Sequence, residues 1–338
     1  MTQATPATAV VTLGECMASF IARERGSMAA STDFLRTIAG AEANVAVGLA
    51  RLGVTVSYVG RVGDDPLGTT IVRTLRGEGV DVRHLRVDAA AATGVMIREL
   101  RDLGPAEVIY WRDGSAGSRL SVDDVAAADA RFEGAAWLHV TGITPALSAS
   151  AASAVHAAIQ RARTGGLTIS LDVNFRRRLW SEAEARHALL PLVGTCDIVL
   201  GGLDELAVMA GFSDSPDDVG SPDPARVADA LLAQGAGVVV VKLGPGGAFE
   251  RRRGHDGITS AAAPGVMVSH VVDPVGAGDA FCAGYIAASL AGGPPVGALA
   301  AANACGASVA SSLGDQAGLP TRVELDRLLA SGGLDTLR

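Results

Sequence analysis

Short runs of β-branched and other apolar residues alternate with alanine-rich segments along most of the chain. The runs predict strands at residues 10–13, 54–59, 137–141, 167–171, 198–200 and 238–243. The alanine-rich segments predict helices at residues 43–52, 67–78, 150–163, 182–190, 224–234, 278–290 and 296–312. Strands followed by helices of about 10–15 residues indicate βαβ units. We therefore expect an α/β fold with a doubly wound, mainly parallel sheet, which binds ligands at the carboxyl ends of its strands.

Two stretches depart from this alternation and then return to it. Residues 15–38 carry few helical signals, and residues 93–112 predict two strands, at 94–100 and 107–111, around the turn Leu103-Gly104-Pro105. Either these stretches form a small secondary sheet or they are ordinary surface hairpins. We expect a disordered tail at residues 1–9 and one folded domain at residues 10–330.

The composition indicates a globular protein that does not bind polyanions. Of 338 residues, 49% are hydrophobic and 19% are charged, which excludes intrinsic disorder. The net charge of −8, without a basic block, argues against nucleic acid and anionic membranes as partners. No apolar run reaches the length of about 18 residues that a membrane-spanning helix needs, and residues 1–9 lack signal-peptide features. The 4 cysteines are scattered without a CxxC pair, so we expect a cytoplasmic protein in a reducing environment.

The segment Asp273-Pro274-Val275-Gly276-Ala277-Gly278-Asp279 carries the sharpest chemical signal. It opens the helix predicted at residues 278–290. Small residues at 276–278 let backbone N–H groups face outward at a helix N-terminus, where the helix dipole also favours an anion. A carboxylate at Asp279, beside a bound phosphate, can accept the proton of a hydroxyl that attacks phosphorus. Taken alone, however, such an acid more often only complements the helix dipole.

Two other glycine turns are ambiguous by themselves. Lys242-Leu243-Gly244-Pro245-Gly246-Gly247-Ala248 has neither the spacing of a P-loop nor that of a dinucleotide-binding turn. It is as consistent with a β-turn as with a nucleotide loop. Residues 60–68 join a strand to a helix and predict a helix entry with Asp64 or Asp65 as N-cap.

Together these motifs resemble the ribokinase-like (PfkB) family of carbohydrate kinases over residues 10–330. Residues 60–68 are similar to the family's N-terminal signature, and residues 273–285 to its C-terminal one, with the core Gly276-Ala277-Gly278-Asp279. Within the family the resemblance is closest to the 2-keto-3-deoxygluconate kinases. It rests on residues 39–44, 110–118, 141–147, 171–176, 303–308 and 314–315.

The resemblance implies that the stretches 15–38 and 93–112 form a small β-sheet lid over the sugar, through which the chain forms a homo-oligomer. It implies that Asp279 is the catalytic base, and that an anion hole for the γ-phosphoryl group is formed by the amides of Gly276, Ala277 and Gly278. It also implies ATP binding by Asn174, Lys242, Gly244, Gly247 and Asn303. Glu205 would hold Mg²⁺ through water, although Gly202 stands where the family usually has Asn.

On the sugar side, the resemblance implies that Gly40 permits close backbone approach and that Asn44 and Asp315 bond hydroxyls. The acid end of the substrate would be held by Tyr110, Arg112 and Arg176. Two guanidiniums buried beside a neutral sugar would lack partners, whereas a carboxylate can form two parallel N–H bonds with a guanidinium. Met96 stands where these kinases often have a second Tyr, so one hydroxyl is lost there.

We therefore expect an ATP- and Mg²⁺-dependent kinase that phosphorylates the terminal hydroxyl of 2-keto-3-deoxygluconate. One alternative is a kinase of the same fold that acts on a neutral sugar such as fructose or ribose. Another is a sensor that binds nucleotide or sugar without catalysis. The intact segment 276–279 argues against the sensor, because binding alone does not require the base.

Overall fold

The computed structural model describes residues 9–101, 107–212 and 222–331. The strands in these ranges are β1 Val10–Leu13, β2 Met17–Arg25, β3 Phe34–Ala39, β4 Val56–Gly63, β5 Asp81–Asp88, β6 Val95–Leu100, β7 Val108–Trp111, β8 Trp137–Thr141, β9 Thr168–Asp172, β10 Ile198–Gly202, β11 Val238–Lys242, β12 Ala248–Gly254 and β13 Gly257–Ala263. The helices are α1 Ala41–Arg51, α2 Pro66–Gly77, α3 Val122–Ala127, α4 Asp129–Phe132, α5 Thr144–Leu147, α6 Ala149–Gly165, α7 Glu182–Val193, α8 Leu203–Ala210, α9 Pro224–Ala233, α10 Ala277–Leu290, α11 Pro295–Ala310 and α12 Arg322–Ser331.

All of the predicted strands and helices are present, with ends shifted by a few residues. Strands β5, β12 and β13 and helices α3, α4, α5, α8 and α12 were not predicted, and β2 and β3 were not assigned individually within residues 15–38. Strand β5 is an edge strand whose polar positions face solvent, so its pattern resembles that of a loop. The predicted tail, apart from Ala9, and the predicted turn at residues 103–105 lie outside the described residues.

The main sheet has the strand order β13-β12-β11-β10-β9-β8-β1-β4-β5. Neighbours from β11 to β5 are parallel, and β12 and β13 pair antiparallel at one edge. From β1 the chain builds outward to β4 and β5, and then from β8 to β11 on the other side. The direction of winding therefore changes between β1 and β8, the place where doubly wound sheets bind ligands.

Helices cover both faces of the main sheet, which confirms the doubly wound architecture. One apolar core packs α1, α2, α10, α11 and α12 against the sheet, and the other packs helices α3 and α4 and the helices from α6 to α9. Because both faces are covered, a strand such as β11 is a continuous apolar run rather than an alternating one. None of the described helices is long and apolar enough to cross a membrane.

A second sheet, with the strand order β3-β2-β6-β7, forms the lid sheet. Strands β2 and β6 are parallel, and the outer pairs are antiparallel. The small secondary sheet expected from the two departing stretches is thus confirmed, and the alternative of separate surface hairpins is wrong. One face carries an apolar cluster of Met17, Ala39 and Met96, with Val108 against it. Arg98 lies two positions from Met96, and therefore on the same face.

Candidate active site

A cleft of about 760 Å³ lies between the lid sheet and the carboxyl ends of the central strands. Most residues expected to bind substrate or nucleotide line it, although they come from distant parts of the chain. They are Gly40, Asn44, Tyr110, Arg112, Asn174, Arg176, Glu205, Lys242, Gly276, Gly278, Asp279 and Asp315. The structure therefore brings the two halves of the predicted site together in one cleft.

Asp279 lies in the first turn of α10 and is 7% exposed. Its Oδ2 accepts a hydrogen bond from Asn44 Nδ2 at 2.8 Å, and its Oδ1 accepts one from Asn174 Nδ2 at 3.3 Å. Burial raises the pKa of Asp279 to about 7; Asp172 adds to the rise, and the bond from Asn44 opposes it. A carboxyl group with this pKa is suited to accept a proton near neutral pH.

The segment before α10 presents backbone donors to the cleft. Gly276 has φ +85°, and a Cβ there would lie 2.6 Å from the carbonyl oxygen of Asp315, so only glycine fits. Among the described residues, the amides of Gly276 and Gly278 have no backbone acceptor. The amide of Ala277 instead donates to the carbonyl oxygen of Pro274 at 3.2 Å. Two of the three amides expected in the anion hole are thus free for an anion, and the third is engaged.

Lys242, at the end of β11, reaches toward the start of α10. Its Nζ donates to Asp172 Oδ2 at 2.9 Å and to the carbonyl oxygen of Gly278 at 3.2 Å. Burial alone would lower the pKa of Lys242, but Asp172 and other nearby acids raise it above the ordinary value. The ammonium group therefore stays charged beside the free amides, where it complements a phosphate.

Two buried oxygen atoms without partners in the described part of the chain lie at the end of β9, near Glu205 at the start of α8. Asp172 Oδ1 and Asn174 Oδ1 are buried without a hydrogen bond among the described residues. Asn174 adopts φ +41°, a left-handed conformation that Asn tolerates better than most residues. Glu205 accepts from the amide of Gly202 at 2.9 Å and lies 3.5 Å from Arg176. Burial, followed by repulsion from Asp172, raises the pKa of Glu205 to about 7.

The other expected nucleotide residues lie beside this cleft rather than in its lining. Gly244 and Gly247 belong to the loop after β11, next to a smaller hollow of about 330 Å³ that Ala263 and Pro264 help to line. Asn303 Nδ2 donates to the carbonyl oxygens of Ala263 and Pro264, at 3.2 and 2.9 Å. Asn303 thus fixes the wall of the hollow.

The surroundings of Arg112 and Arg176 differ from those assumed when an acidic substrate was inferred from their charges. Arg112 donates from Nε to Glu15 Oε2 at 2.8 Å, and its Nη2 lies 2.6 Å from the same carboxylate. The Arg176 side chain is 49% exposed and lies near Glu205. The expectation that both guanidiniums would be buried without partners is therefore wrong. Arg112 is separated from Glu15 by 97 positions, so no local spacing could reveal the pair.

Gly40 and Asn44 act within the protein in ways that the resemblance did not indicate. A Cβ at Gly40 would lie 2.3 Å from the carbonyl oxygen of Glu15, so the glycine is required by the connection between β1 and β2. Asn44 Nδ2 also lies 3.4 Å from Asp315 Oδ2, and its Oδ1 accepts from Gln316 Nε2 at 2.9 Å. Asn44 thus holds two carboxylates in the cleft.

Several polar residues of the cleft were given no role from sequence. Glu15 lies two residues after the end of β1 and Asp172 is the last residue of β9, positions that could have marked them. Glu42 is buried, accepts from the hydroxyls of Thr141 and Thr144 at 2.6 and 2.5 Å, and has a pKa that burial raises. Arg98 is a charged residue at a buried position of β6, on the same face as Met96, which was the available signal.

Comparison with known proteins agrees with this geometry. The family described as pfkB family carbohydrate kinase matches residues 7–322. The chain is 38% identical to a 2-dehydro-3-deoxygluconokinase of Bacillus subtilis, over 95% of both proteins. It is 36% identical to one of Thermoproteus tenax, over 95% of this chain and 94% of the relative. A fructokinase of Klebsiella pneumoniae is 34% identical over 86% of this chain and 91% of its own.

Solved structures show the same architecture. A 2-dehydro-3-deoxygluconokinase from Thermotoga maritima superimposes with a TM-score of 0.81 at 26% identity, over 96% of this chain and 99% of its own. A putative ribokinase II from E. coli, in complex with ATP and Mg²⁺, gives a TM-score of 0.82 at 25% identity, over 96% of this chain and 99% of its own. The protein belongs to the pfkB family of carbohydrate kinases.

Proposed function

We propose that this kinase transfers the γ-phosphoryl group of ATP to the terminal hydroxyl of 2-keto-3-deoxygluconate, the compound also called 2-dehydro-3-deoxygluconate. The observation that carries the proposal is the placement of Asp279. Its buried carboxyl group lies beside free amides on one side and beside the hydrogen-bonded Asn44 and Asp315 on the other. The two relatives above 35% identity that carry this activity in their names support the choice of substrate.

In the proposed reaction, Asp279 takes the proton of the terminal hydroxyl as its oxygen attacks the γ-phosphorus. The new O–P bond forms while the bond from the γ-phosphorus to the bridging oxygen breaks, and ADP leaves with that oxygen. Asn44 and Asn174 hold the carboxylate of Asp279 in place. Lys242 and the amides of Gly276 and Gly278 stabilise the charge on the transferred group.

The oxygen atoms of the cleft fit Mg²⁺ bound together with a nucleotide. Among the described residues there is no cluster of three or more His, Cys, Asp or Glu side chains that could hold a metal. Mg²⁺ in kinases is held mainly by water, phosphates and one or two carboxylates. The unpartnered Asp172 Oδ1 and Asn174 Oδ1, with Glu205 acting through water, supply such a set. The ion would neutralise negative charge on the phosphate oxygens.

The case for an acidic substrate now depends on Arg176 more than on Arg112. The guanidinium of Arg112 is already neutralised by Glu15. Arg176 lies 3.5 Å from Glu205, whose raised pKa makes it a weaker anionic partner. Arg177 and Arg178 also line the cleft and add positive charge. A carboxylate of the substrate would therefore find an available guanidinium at Arg176.

Release of ADP with a panel of 2-keto-3-deoxygluconate, fructose and ribose tests the substrate. We expect the highest kcat/KM for the keto-acid. A higher value for fructose or ribose would favour the neutral-sugar alternative, which the fructokinase relative supports. No ADP release with any sugar, while nucleotide still binds, would favour the non-catalytic sensor.

We also infer that the chain forms a homo-oligomer through the lid sheet and acts in the cytoplasm. Strand β7 is an edge of the lid sheet, and its Trp111 is 56% exposed. An exposed aromatic residue on an edge strand is typical of a contact surface. The 4 cysteines of the chain are all free thiols, in agreement with a reducing compartment. A monomer in sedimentation at micromolar concentration would exclude the oligomer.

A further inference from the structure

Arg98, in the lid strand β6, forms a buried ionic cluster with two carboxylates of the main domain. Its Nη1 donates to Asp273 Oδ1 at 3.0 Å and its Nη2 to Asp273 Oδ2 at 2.5 Å. Nη2 also donates to Asp315 Oδ1 at 3.2 Å. The three side chains are between 2% and 4% exposed. We call Arg98, Asp273 and Asp315 the lid triad.

Both acidic residues of the lid triad contact backbone beside the anion hole, Asp273 through its carboxylate and Asp315 through its own backbone. Asp273 accepts hydrogen bonds from the amides of Val275, at 3.2 Å, and Gly314, at 2.9 Å. The backbone of Asp315 in turn packs directly against Gly276. A guanidinium that pairs with both residues therefore ties one lid strand to the two loops that shape the phosphate site.

The lid triad also connects to Asp279. Asp315 Oδ2 lies 3.4 Å from Asn44 Nδ2, and the same nitrogen donates to Asp279 Oδ2 at 2.8 Å. A continuous path of polar contacts thus runs from the lid strand, through Asp315 and Asn44, to the carboxyl group of Asp279. Because each step is buried, loss of one partner leaves charges that water does not solvate.

We propose that Arg98 is a positioning residue that couples closure of the lid sheet to assembly of the phosphate site and to the placement of Asp279. The inference rests on the proposed function and deepens it. Arg98 is suited to this role because its planar fork bonds one carboxylate through two nitrogens and still reaches a second. A lysine retains the charge but not this geometry.

The test compares Arg98→Gln and Arg98→Lys with Arg36→Gln. Arg36 lies on β3 of the same lid sheet and is exposed, so its replacement removes the same charge from the lid without touching the triad. We expect Arg98→Gln to lower kcat/KM for the sugar by at least about 100-fold, because a buried pair loses one partner. Arg98→Lys should recover part of this loss, and Arg36→Gln should behave as wild type.

The pH profile separates positioning from a general loss of structure. The carboxyl group of Asp315 is approached by Arg98 from the lid sheet, and by Asp273 and Asn44 from the main domain. Burial raises the pKa of Asp315, whereas Arg98 lowers it. Without Arg98, the acid limb of kcat/KM should therefore move to higher pH. Arg36→Gln should leave the limb in place. Equal profiles and equal kcat/KM in Arg98→Gln and Arg36→Gln would overturn the inference.

Hydrogen exchange of residues 273–280 provides a readout that does not need activity. We expect faster exchange there in Arg98→Gln than in Arg36→Gln, because Asp273 and Asp315 lose their shared partner. If wild type phosphorylates no sugar, the proposed function fails, and equal exchange in the two variants would then overturn the coupling separately. If Arg98→Gln does not fold by circular dichroism, Arg98→Lys and Asp273→Asn carry the same measurements.

Discussion

The two halves of the cleft are built by different means. The nucleotide half presents backbone amides and glycines from the loop after β11 and the start of α10. The sugar half is made of charged side chains in pairs between the lid sheet and the main domain, such as Arg112 with Glu15 and Arg98 with Asp315. A backbone cradle tolerates any nucleotide phosphate, whereas paired side chains can be exchanged to suit a different sugar. This difference places chemistry in one half and specificity in the other.

The largest effect should come from Asp279, where the two halves meet. Asp279→Asn should lower kcat by about 10²- to 10⁴-fold, the usual contribution of a general base. Nucleotide affinity should stay close to that of wild type, because the amides and Lys242 remain. Turnover and nucleotide binding by calorimetry measure the two effects. A variant that keeps more than a tenth of wild-type turnover at saturating substrate would remove Asp279 from the role of base.

A smaller effect, confined to the sugar half, is expected at Arg176. Arg176→Ala should raise KM for 2-keto-3-deoxygluconate by about 30-fold, because the pair with the substrate carboxylate becomes desolvated once the substrate covers this half-exposed side chain. Arg83→Ala is the matched control, because that side chain is 51% exposed, pairs with Asp81 and does not line the cleft. Residual activity toward neutral sugars should hardly change in either variant. Equal KM values for the two variants would contradict the assignment of Arg176.

The pH dependence sharpens the comparison at Asp279. Burial raises the pKa of Asp279 to about 7, and the carboxyl group must be deprotonated in the free enzyme before it can accept a proton. The kcat/KM should therefore rise with pH to a plateau above 7, and at pH 6 it should be about a tenth of the plateau. Initial rates at low substrate concentration give the profile. A rate that stays constant from pH 5 to pH 8 would rule out control by this group.

The smallest expected effect is a change in motion of the lid sheet. Lids belong to the less stable parts of a structure and become ordered on closure. Strands β2, β6 and β7 should gain protection from hydrogen exchange when sugar and nucleotide bind, while β9 and β10 should not change. Exchange monitored by mass spectrometry, with binding confirmed in the same sample, gives the answer. Unchanged hydrogen exchange in these strands would mean that the lid sheet does not become more ordered when ligands bind.

The difference between a cradle of adjacent backbone groups and pairs of distant side chains also explains which features could be predicted from the sequence. The alternation of strands and helices is local and buried, so β11 or α10 could be identified from short windows. The glycine spacing around Asp279 is equally local, because helix starts use adjacent amides. Pairs such as Arg112 and Glu15 join positions 97 residues apart, and the partner of Arg98 lies 175 residues away. No local pattern contains such a pair.

Burial was the other quantity that the sequence did not provide. Arg176 was expected inside the cleft as an unpaired charge, but it is half exposed. Gly40, expected to make room for a sugar, lines the cleft and also makes room for the carbonyl group of Glu15. At both positions the residue type indicated a place in the site. The neighbours of each residue, however, depend on how the lid sheet packs against the main domain.

The position of β1 between β4 and β8 in the main sheet governs when this protein can fold during synthesis. Thr12 of β1 bonds the backbone of His139, 127 residues later, and Asn44 reaches Asp315 after 271 residues. At translation rates of about 5–20 residues per second, β1 waits about 6–25 s for this neighbour. Such long-range pairing is slow, and until β8 emerges one edge of β1 stays unpaired while the other can pair with β4. A ribosome-bound chain can therefore build much of its sheet while phosphoryl transfer stays impossible until residue 315 has emerged.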